Sequence, residues 1–163
     1  MIKYKKGTLK YVYAGDELVG FVLNGVSYLY RKNVFGDIVG ILNSNGVEVA
    51  KYAYDAWGHC LIQLDSSGIA TANPFRYRGY YYDSDLGLYY LKSRYYDAET
   101  GRFISPDSPK YLASEILNGL NLYAYCNNNP VMNIDPNGNA WWNPFSWDWE
   151  SIGKVGAGVR PKG

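Results

Sequence analysis

The chain has 163 residues, of which 47% are hydrophobic, and its formal net charge is +1 at pH 7. This length and hydrophobic content predict a globular protein of about one domain with a modest core. A nearly neutral chain has no excess of cations for a phosphate backbone, which argues against nucleic acid as a partner. The longest apolar stretch, Leu18–Leu23, is too short to span a membrane, and lysines interrupt any signal-peptide run in residues 1–10.

The first part of the chain is predicted to form β-hairpins. Eighteen tyrosines and eighteen glycines, against two methionines, favour strands and turns over helices. Two turn signals are the Asn-Gly pairs at 24–25 and 45–46, for which a type I′ turn with positive φ at both residues is expected. The predicted strands are Leu18–Leu23, Val26–Arg31, Ile38–Leu42, Val47–Tyr54 and Cys60–Leu64.

A 14-residue repeat relates residues 81–89 to residues 95–103. Each copy has a Tyr-Tyr-Asp triplet followed, four residues after the Asp, by a glycine. The repeat predicts one recurring unit, in which a strand ends in Tyr-Asp and a glycine closes the turn to the next strand. Each Asp of such a unit is first interpreted as an Asx-turn residue, and this interpretation is favoured for Asp97 and for Asp55 in a looser copy.

The cysteines and the histidine do not indicate a second kind of chemistry. Cys60 and Cys126 are too few for a disulfide framework and lack the spacing of a zinc site, so both are predicted to be buried thiols. His59 is the only histidine, and its neighbour Cys60 would point to the opposite face of a strand. A histidine-dependent nucleophile is therefore disfavoured, and no metal site or cofactor is predicted.

The composition changes after Asp107 and again after Asn139. Residues 108–118 are predicted to form a loop or a short helical turn, and turns rich in Asn, Pro and Gly follow. Four tryptophans and a glycine-rich basic end indicate a linker or the opening of another module, with membrane-interface contact as an alternative. These tryptophans are Trp141, Trp142, Trp147 and Trp149.

The stretch from Pro74 to Gly138 carries an ordered series of motifs. They include Phe75-Arg76-Tyr77-Arg78-Gly79-Tyr80, Arg94-Tyr95-Tyr96-Asp97, Gly101-Arg102-Phe103-Ile104-Ser105-Pro106-Asp107 and Asp135-Pro136-Asn137-Gly138. In this order they resemble the RHS-repeat-associated core domain of the Rhs/YD-repeat polymorphic toxins and of the shell-forming subunits of Tc toxins. Residues 26–64 resemble the YD-type repeats that precede this core.

The resemblance implies a mainly β fold. An antiparallel hairpin strip of YD-type repeats, residues 1–73, would lead into the core domain, residues 74–139, with short helical turns near the C-terminus. Residues 140–163 would be a linker or the start of a truncated C-terminal toxin segment. In the family the repeats wind into a hollow shell, which the core closes. The implied partners are the preceding shell, the C-terminal effector and an immunity protein, and the implied location is secreted or cell-surface as part of a longer protein.

In many members of the family the core also cuts its own chain as an aspartyl autoprotease, just after the Asp-Pro-x-Gly motif. Carried over by motif, the catalytic carboxylates would be Asp83 and Asp107. The cut would fall between Asn139 and Ala140, and Asn139 stands where well-studied members favour Leu. The turn residues that would present this bond are Asp135, Pro136 and Gly138.

Two carboxylates suit this chemistry, because like charges a few ångströms apart tend to share one proton. One Asp can then act as a base toward water and the other as an acid toward the peptide, without a histidine or a metal. Asp85 competes with Asp83, since both face the same side of an extended chain. Asp83 is preferred because it occupies the Tyr-Asp position of the repeat.

Three functions follow from the sequence. The first is a structural core that closes a shell, and the second adds aspartyl self-cleavage to it. The third is a non-catalytic carbohydrate or cell-surface binding module built on the tyrosine-rich strip. The third is the least favoured, because tyrosines in such strips usually stack on one another across strands.

Overall fold

The computed structural model describes residues 2–4, 7–107, 121–139, 141 and 143. Over these residues the protein is mainly β, with two antiparallel sheets of seven and four strands and only short helical segments. The predicted fold class is therefore confirmed. None of the helical segments in these ranges has the length and apolar run that crossing a membrane requires.

The chain divides into two compact units. The first comprises Met1–Asp55 and Cys60–Gly79 and contains the seven-stranded sheet. The second comprises Ala56–His59 and Tyr80–Gly163 and contains the four-stranded sheet.

The first sheet is a meander in which each strand pairs with the next one along the chain. Its five last strands were predicted to within one residue at each end. The first two were not, because the lysines there obscured the alternation between exposed Thr8 and Lys10 and buried Leu9. The strands are β1 (Ile2–Tyr4), β2 (Gly7–Ala14), β3 (Glu17–Leu23), β4 (Val26–Lys32), β5 (Ile38–Asn43), β6 (Glu48–Tyr54) and β7 (Cys60–Asp65).

Both Asn-Gly pairs lie in hairpin turns, but the two turns differ. Asn24 and Gly25 have φ values of 52° and 85°, as the predicted type I′ turn requires. At the second pair only Gly46 has positive φ, so the predicted type I′ turn is wrong there. The Asn43 carbonyl accepts the Gly46 N–H at 2.9 Å and its side chain accepts the Asn45 N–H at 3.0 Å. These bonds stabilise a longer loop closed by a left-handed glycine.

One face of the first sheet carries its core. The helix α1 (Ile69–Ala72) contributes to this core, and the helix and the Asn73 that follows it accept hydrogen bonds from two tyrosines of the sheet. The Tyr52 hydroxyl donates to the Ala70 carbonyl at 2.9 Å, and the Tyr30 hydroxyl donates to Asn73 Oδ1 at 2.7 Å. The most buried core residues of the sheet are Leu9, Phe21, Ile38, Ile41, Ala50 and Tyr52.

The second sheet is built from the two copies of the 14-residue repeat, as predicted. The first copy forms the hairpin of β8 (Tyr81–Asp83) and β9 (Leu88–Tyr90), and the second forms that of β10 (Tyr95–Asp97) and β11 (Arg102–Phe103). Buried aromatic rings make its core, and the closest centroids, of Tyr96 and Tyr125, are 4.1 Å apart. The core rings are Tyr80, Tyr89, Tyr96, Phe103 and Tyr125.

The structure gives the outcome of several predictions about single residues. Asp97 is an Asx-turn residue, since its carboxylate accepts the Glu99 N–H at 2.9 Å. Neither Cys60 nor Cys126 is in a disulfide, and only Cys126 is buried. Cys60 is half-buried because it begins the edge strand β7. Trp141 is 40% exposed. The other three tryptophans and the predicted loop at 108–118 lie outside the described residues.

Candidate functional site

The candidate site is organised around Arg94, in the connection between β9 and β10. This connection is a tight turn in which the Ser93 N–H donates to the Leu91 carbonyl at 2.7 Å and Lys92 has a φ of 65°. The Leu91 N–H donates in turn to the Arg94 carbonyl at 2.9 Å. The turn places Arg94 next to the first residue of β10 with only 7% of the residue exposed. A charge that is buried this deeply requires partners.

Arg94 has partners from three separate stretches of chain. Its Nη2 lies 3.0 Å from Asp107 Oδ2 and 3.9 Å from Asp135 Oδ2. Its Nη1 donates to the Leu122 carbonyl at 2.9 Å, and its Nε donates to the Gly138 carbonyl. The planar fork of a guanidinium suits such a set of oxygens, because its donors point in fixed directions.

The electrostatics of the site follow from its burial. Burial lowers the pKa of the Arg94 guanidinium, and the negative charges of Asp107 and Asp135 oppose this by raising it. The guanidinium carbon also lies 3.6 Å from the centroid of the Phe103 ring, where the negative face of the ring attracts a cation. The cation is therefore stabilised by two carboxylates and by an aromatic face.

The turn at residues 135–139 is stabilised by hydrogen bonds of its first residue, Asp135. Asp135 is 2% exposed, and its Oδ1 accepts the Gly138 N–H at 2.9 Å. The Asp135 carbonyl accepts the Tyr80 hydroxyl at 2.7 Å. Further along, Asn137 Oδ1 accepts the Asn139 N–H at 3.1 Å. The backbone is thus fixed up to the residue that precedes the predicted cut.

Arg94 links Asp107 to this turn, because it contacts both the Asp107 carboxylate and the Gly138 carbonyl. Its main-chain N–H donates to the Leu122 carbonyl at 2.9 Å, and its side chain is 12% exposed. The structure therefore brings together Asp107, Asp135 and Gly138 around one guanidinium. It assigns to the Asp107 carboxylate a cationic partner beside the Asp-Pro-Asn-Gly turn.

Asp83 occupies a different kind of position. Its Oδ1 accepts the N–H groups of Asp85 and Leu86 at 3.0 and 3.1 Å, so it is an Asx-turn residue like Asp97. Asp85 is exposed in the same turn. The pairing of Asp83 with Asp107 stays a prediction, and Ala140 lies outside the described residues.

Arg94 is the central residue of the site, and the sequence alone does not reveal its role. It stands there only as the first residue of the Arg94-Tyr95-Tyr96-Asp97 motif. The signal that could have identified it is charge matching, because two aspartates in turn motifs of one buried site require a cation. Within the described ranges no group of three or more His, Cys, Asp or Glu side chains could hold a metal ion.

Comparison with known proteins assigns the chain to a family. The family model of the teneurin YD-shell matches residues 3–131. The tRNA3(Ser)-specific nuclease WapA of Bacillus spizizenii is 43% identical over 138 residues, which are 84% of this chain and 6% of the nuclease. The toxin protein Tse5 of Pseudomonas aeruginosa is 45% identical over 67 residues, 41% of this chain and 5% of the toxin.

A solved structure agrees with these matches. The crystal structure of TcdB2-TccC3 without its hypervariable C-terminal region aligns with a TM-score of 0.67 at 30% identity, covering 80% of this chain and 6% of that one. The chain thus spans only about a twentieth of the length of these relatives. With most of its length matched by the family model, the chain belongs to the teneurin YD-shell family, as a YD-shell domain of the kind found in Rhs and Tc toxin proteins.

Proposed function

We propose that the chain is the C-terminal closing core of a longer YD-repeat protein, which encloses or presents a C-terminal effector segment. The observation that carries this proposal is the buried Arg94 site. It fastens the chain at Gly138, just before residue 140, where the effector segment would begin. A core that closes a shell and holds a segment needs an anchor at that point, and a buried cation with several oxygen partners provides one.

The first sheet supports preceding repeats as a partner. Among the described strands, β1 lies at the end of the meander and pairs with β2. An edge strand presents N–H and C=O groups that a further strand can pair with. Because the meander adds its strands in chain order, earlier repeats can extend it at β1.

The named relatives support a toxin context for the whole protein. One is a tRNA nuclease and one a toxin protein, and each is many times longer than this chain. By extension, we propose that the segment after residue 139 leads into an effector of a secreted or cell-surface protein. An immunity protein would then be the partner that protects the producing cell from this effector.

A chimera tests the closing function. Residues 3–139 would replace the matching segment of the TcdB2-TccC3 complex that lacks the hypervariable region, and the particles would be imaged by cryo-electron microscopy. We expect a closed shell with ordered density for residues 135–139. An Arg94→Met version should lose that density because the anchor is gone. An open shell in the first chimera, beside a closed parent, would refute the proposal.

Self-cleavage after Asn139 is a second candidate function, and one observation favours it. The guanidinium that binds Asp107 at 3.0 Å also donates to the carbonyl of Gly138, so one cation links a carboxylate to the peptide that precedes Asn139. This supports Asp107 as the group that acts on the bond. Asp83 as its partner rests on the family resemblance alone.

The intact mass of the purified chain tests this second function. Loss of residues 140–163 is expected in the wild-type chain and in an Asp97→Asn control, since Asp97 is a turn residue outside the site. Asp107→Asn should leave the chain uncut. Unchanged processing in Asp107→Asn would remove Asp107 from the mechanism.

A further inference from the structure

We infer that Tyr90 and Tyr95 form a site of oxidative cross-linking, at which a one-electron oxidant of the haem peroxidase class joins the two rings as dityrosine. The two residues lie directly opposite each other on β9 and β10. Their ring centroids are 5.1 Å apart, and the ring planes are inclined to each other by 44°. This modification site is independent of the closing function and of any cut in the chain.

The pair lies on the face of the four-stranded sheet that is turned away from its aromatic core. Successive side chains of a strand point to opposite faces, and the neighbours Tyr89 and Tyr96 are buried in that core, with 1% and 0% of the residue exposed. Tyr90 is 42% exposed and Tyr95 is half-buried. An oxidant in solution therefore reaches Tyr90, and a second phenol lies beside it.

Two other tyrosine pairs of the same unit lack this access. The ring centroids of Tyr82 and Tyr89 are 5.0 Å apart, nearly the same separation, but Tyr89 is buried. The centroids of Tyr96 and Tyr125 are closer, at 4.1 Å, and both residues are fully buried. Exposure, and not the distance between the rings, therefore distinguishes the Tyr90–Tyr95 pair.

The hairpin holds the two rings in a position from which their edges can meet. The Tyr90 hydroxyl donates to the Lys92 carbonyl at 2.6 Å, which fixes the far end of this ring. Rotation about the Cβ–Cγ bond leaves the hydroxyl oxygen in place and moves the carbons beside it, and this torsion is soft in tyrosine. Because both rings belong to one hairpin, their coupling is a unimolecular step, which favours it over coupling between chains.

The atoms and electrons of the step balance. Each phenol gives one electron and one proton to the oxidant, which leaves two tyrosyl radicals. A carbon–carbon bond then forms between one Cε atom of each ring, next to the hydroxyl groups. Each of these carbons releases its hydrogen as a proton, and each phenol oxygen takes a proton back. One hydrogen peroxide accepts the two electrons and two protons and becomes two waters, so the chain loses two hydrogen atoms.

The cross-link would fix the hairpin that carries the Arg94 site. Tyr90 and Tyr95 flank the turn at residues 91–94, from which Arg94 Nε donates to the Gly138 carbonyl. A covalent bond between the flanking residues prevents the two strands from separating at this turn. It also reduces the conformational entropy of the unfolded chain, so the cross-linked protein should unfold at a higher urea concentration.

The experiment treats the full chain with a haem peroxidase and hydrogen peroxide at low protein concentration, beside the variants Tyr90→Phe, Tyr95→Phe and Tyr82→Phe. Intact mass and dityrosine fluorescence measure the product. The wild-type chain and Tyr82→Phe should give a monomer lighter by two hydrogen atoms. Tyr90→Phe and Tyr95→Phe should lose this product completely, because phenylalanine has no phenol to oxidise.

Peptide mapping and unfolding complete the test. Trypsin cleaves after Arg78, Lys92, Arg94 and Arg102, so the cross-link should join the separate peptides 79–92 and 95–102. Fragmentation of the joined peptides should place the bond at Tyr90 and Tyr95. The urea midpoint should rise on treatment of the wild-type chain and stay unchanged on treatment of Tyr95→Phe.

Other outcomes overturn the inference. An unmodified wild-type chain, or a cross-link that persists in Tyr90→Phe or maps to Tyr82 and Tyr89, would refute the assignment to the exposed pair. Cross-linked dimers without the lighter monomer would mean that exposed tyrosines react between chains, and would refute a site within one hairpin. An equal urea midpoint before and after cross-linking would refute the fixing of the hairpin. The closing function would not be affected by these results, since the chimera tests it separately.

Discussion

Gly138 offers the sharpest test of how the turn before the cut is packed. Its φ of +76° lies in the left-handed region, which side chains with a Cβ adopt at a cost. A Cβ at this position would lie 2.7 Å from Ser93 Oγ and 2.9 Å from the Leu91 carbonyl oxygen. The Ser93 hydroxyl could move only by breaking its hydrogen bond to the Asn137 carbonyl at 2.7 Å, and the Leu91 oxygen belongs to the main chain of the tight turn before β10. An alanine therefore meets both a backbone strain and a steric obstacle.

The two costs can be estimated separately. A left-handed backbone costs a residue with a Cβ roughly 1–2 kcal/mol, and overpacking of a filled site costs about 1–3 kcal/mol. Gly138→Ala should therefore lower the free energy of unfolding by about 2–5 kcal/mol. Gly87→Ala is the matched control in the same unit, because Gly87 has a φ of +72° and its nearest contact is the Tyr82 hydroxyl at 3.9 Å. Only the backbone cost of roughly 1–2 kcal/mol is expected there.

Urea unfolding followed by near-ultraviolet circular dichroism of the buried tyrosines measures both variants. The free energies are extrapolated linearly to water, and the slopes should agree with that of the wild-type chain. If Gly138→Ala loses no more stability than Gly87→Ala, then the turn is not packed against the Leu91 main chain as described. The same result would weaken the view that the chain is fastened at this point.

Three further predictions concern charge and burial. Arg94→Met should lower the free energy of unfolding by about 3–5 kcal/mol, because two carboxylates lose their cation. Arg94→Lys keeps a positive charge and should recover part of this loss. Equal losses of stability in the two variants would contradict the electrostatic reasoning. Burial raises the pKa of the Tyr30 and Tyr52 hydroxyls above the usual 10.0. As the pH rises above 10.0 the unfolded chain loses these hydroxyl protons before the folded chain does, so the free energy of unfolding should fall. Tyr52→Phe should make the fall of the urea midpoint less steep, and an unchanged slope would refute the assignment. Burial raises the pKa of the Cys60 thiol, and Cys126 is 1% exposed, so iodoacetamide should label Cys60 slowly and Cys126 only after unfolding. Mass spectrometry of the native chain would reveal early labelling of Cys126 if its burial were wrong.

The strands from β3 onward could be predicted because their signals are local. Alternating side chains and turn residues specify a hairpin within a dozen residues, and the repeat at 81–103 specified two more. The type of the second Asn-Gly turn was not predictable in this way. It depends on the side chain of Asn43, which binds the loop backbone and selects a longer connection.

The Arg94 site could be predicted only in part, because its contacts are distant in sequence. Gly138 lies 44 residues from Arg94 and the Leu122 carbonyl 28 residues away, so periodicity carries no information about them. The motifs identified Asp107 and the turn at 135–138 as important. What they could not show is that one buried guanidinium joins these parts.

The anchor at this turn depends on the main chain of Asn139 and not on its side chain. The contact that holds Asn139 uses its main-chain N–H, which every residue except proline supplies. Asn139→Leu should therefore keep the turn in place and the stability of the wild-type chain, measured by urea unfolding. A large loss of stability in this variant would mean that the side chain holds the fold.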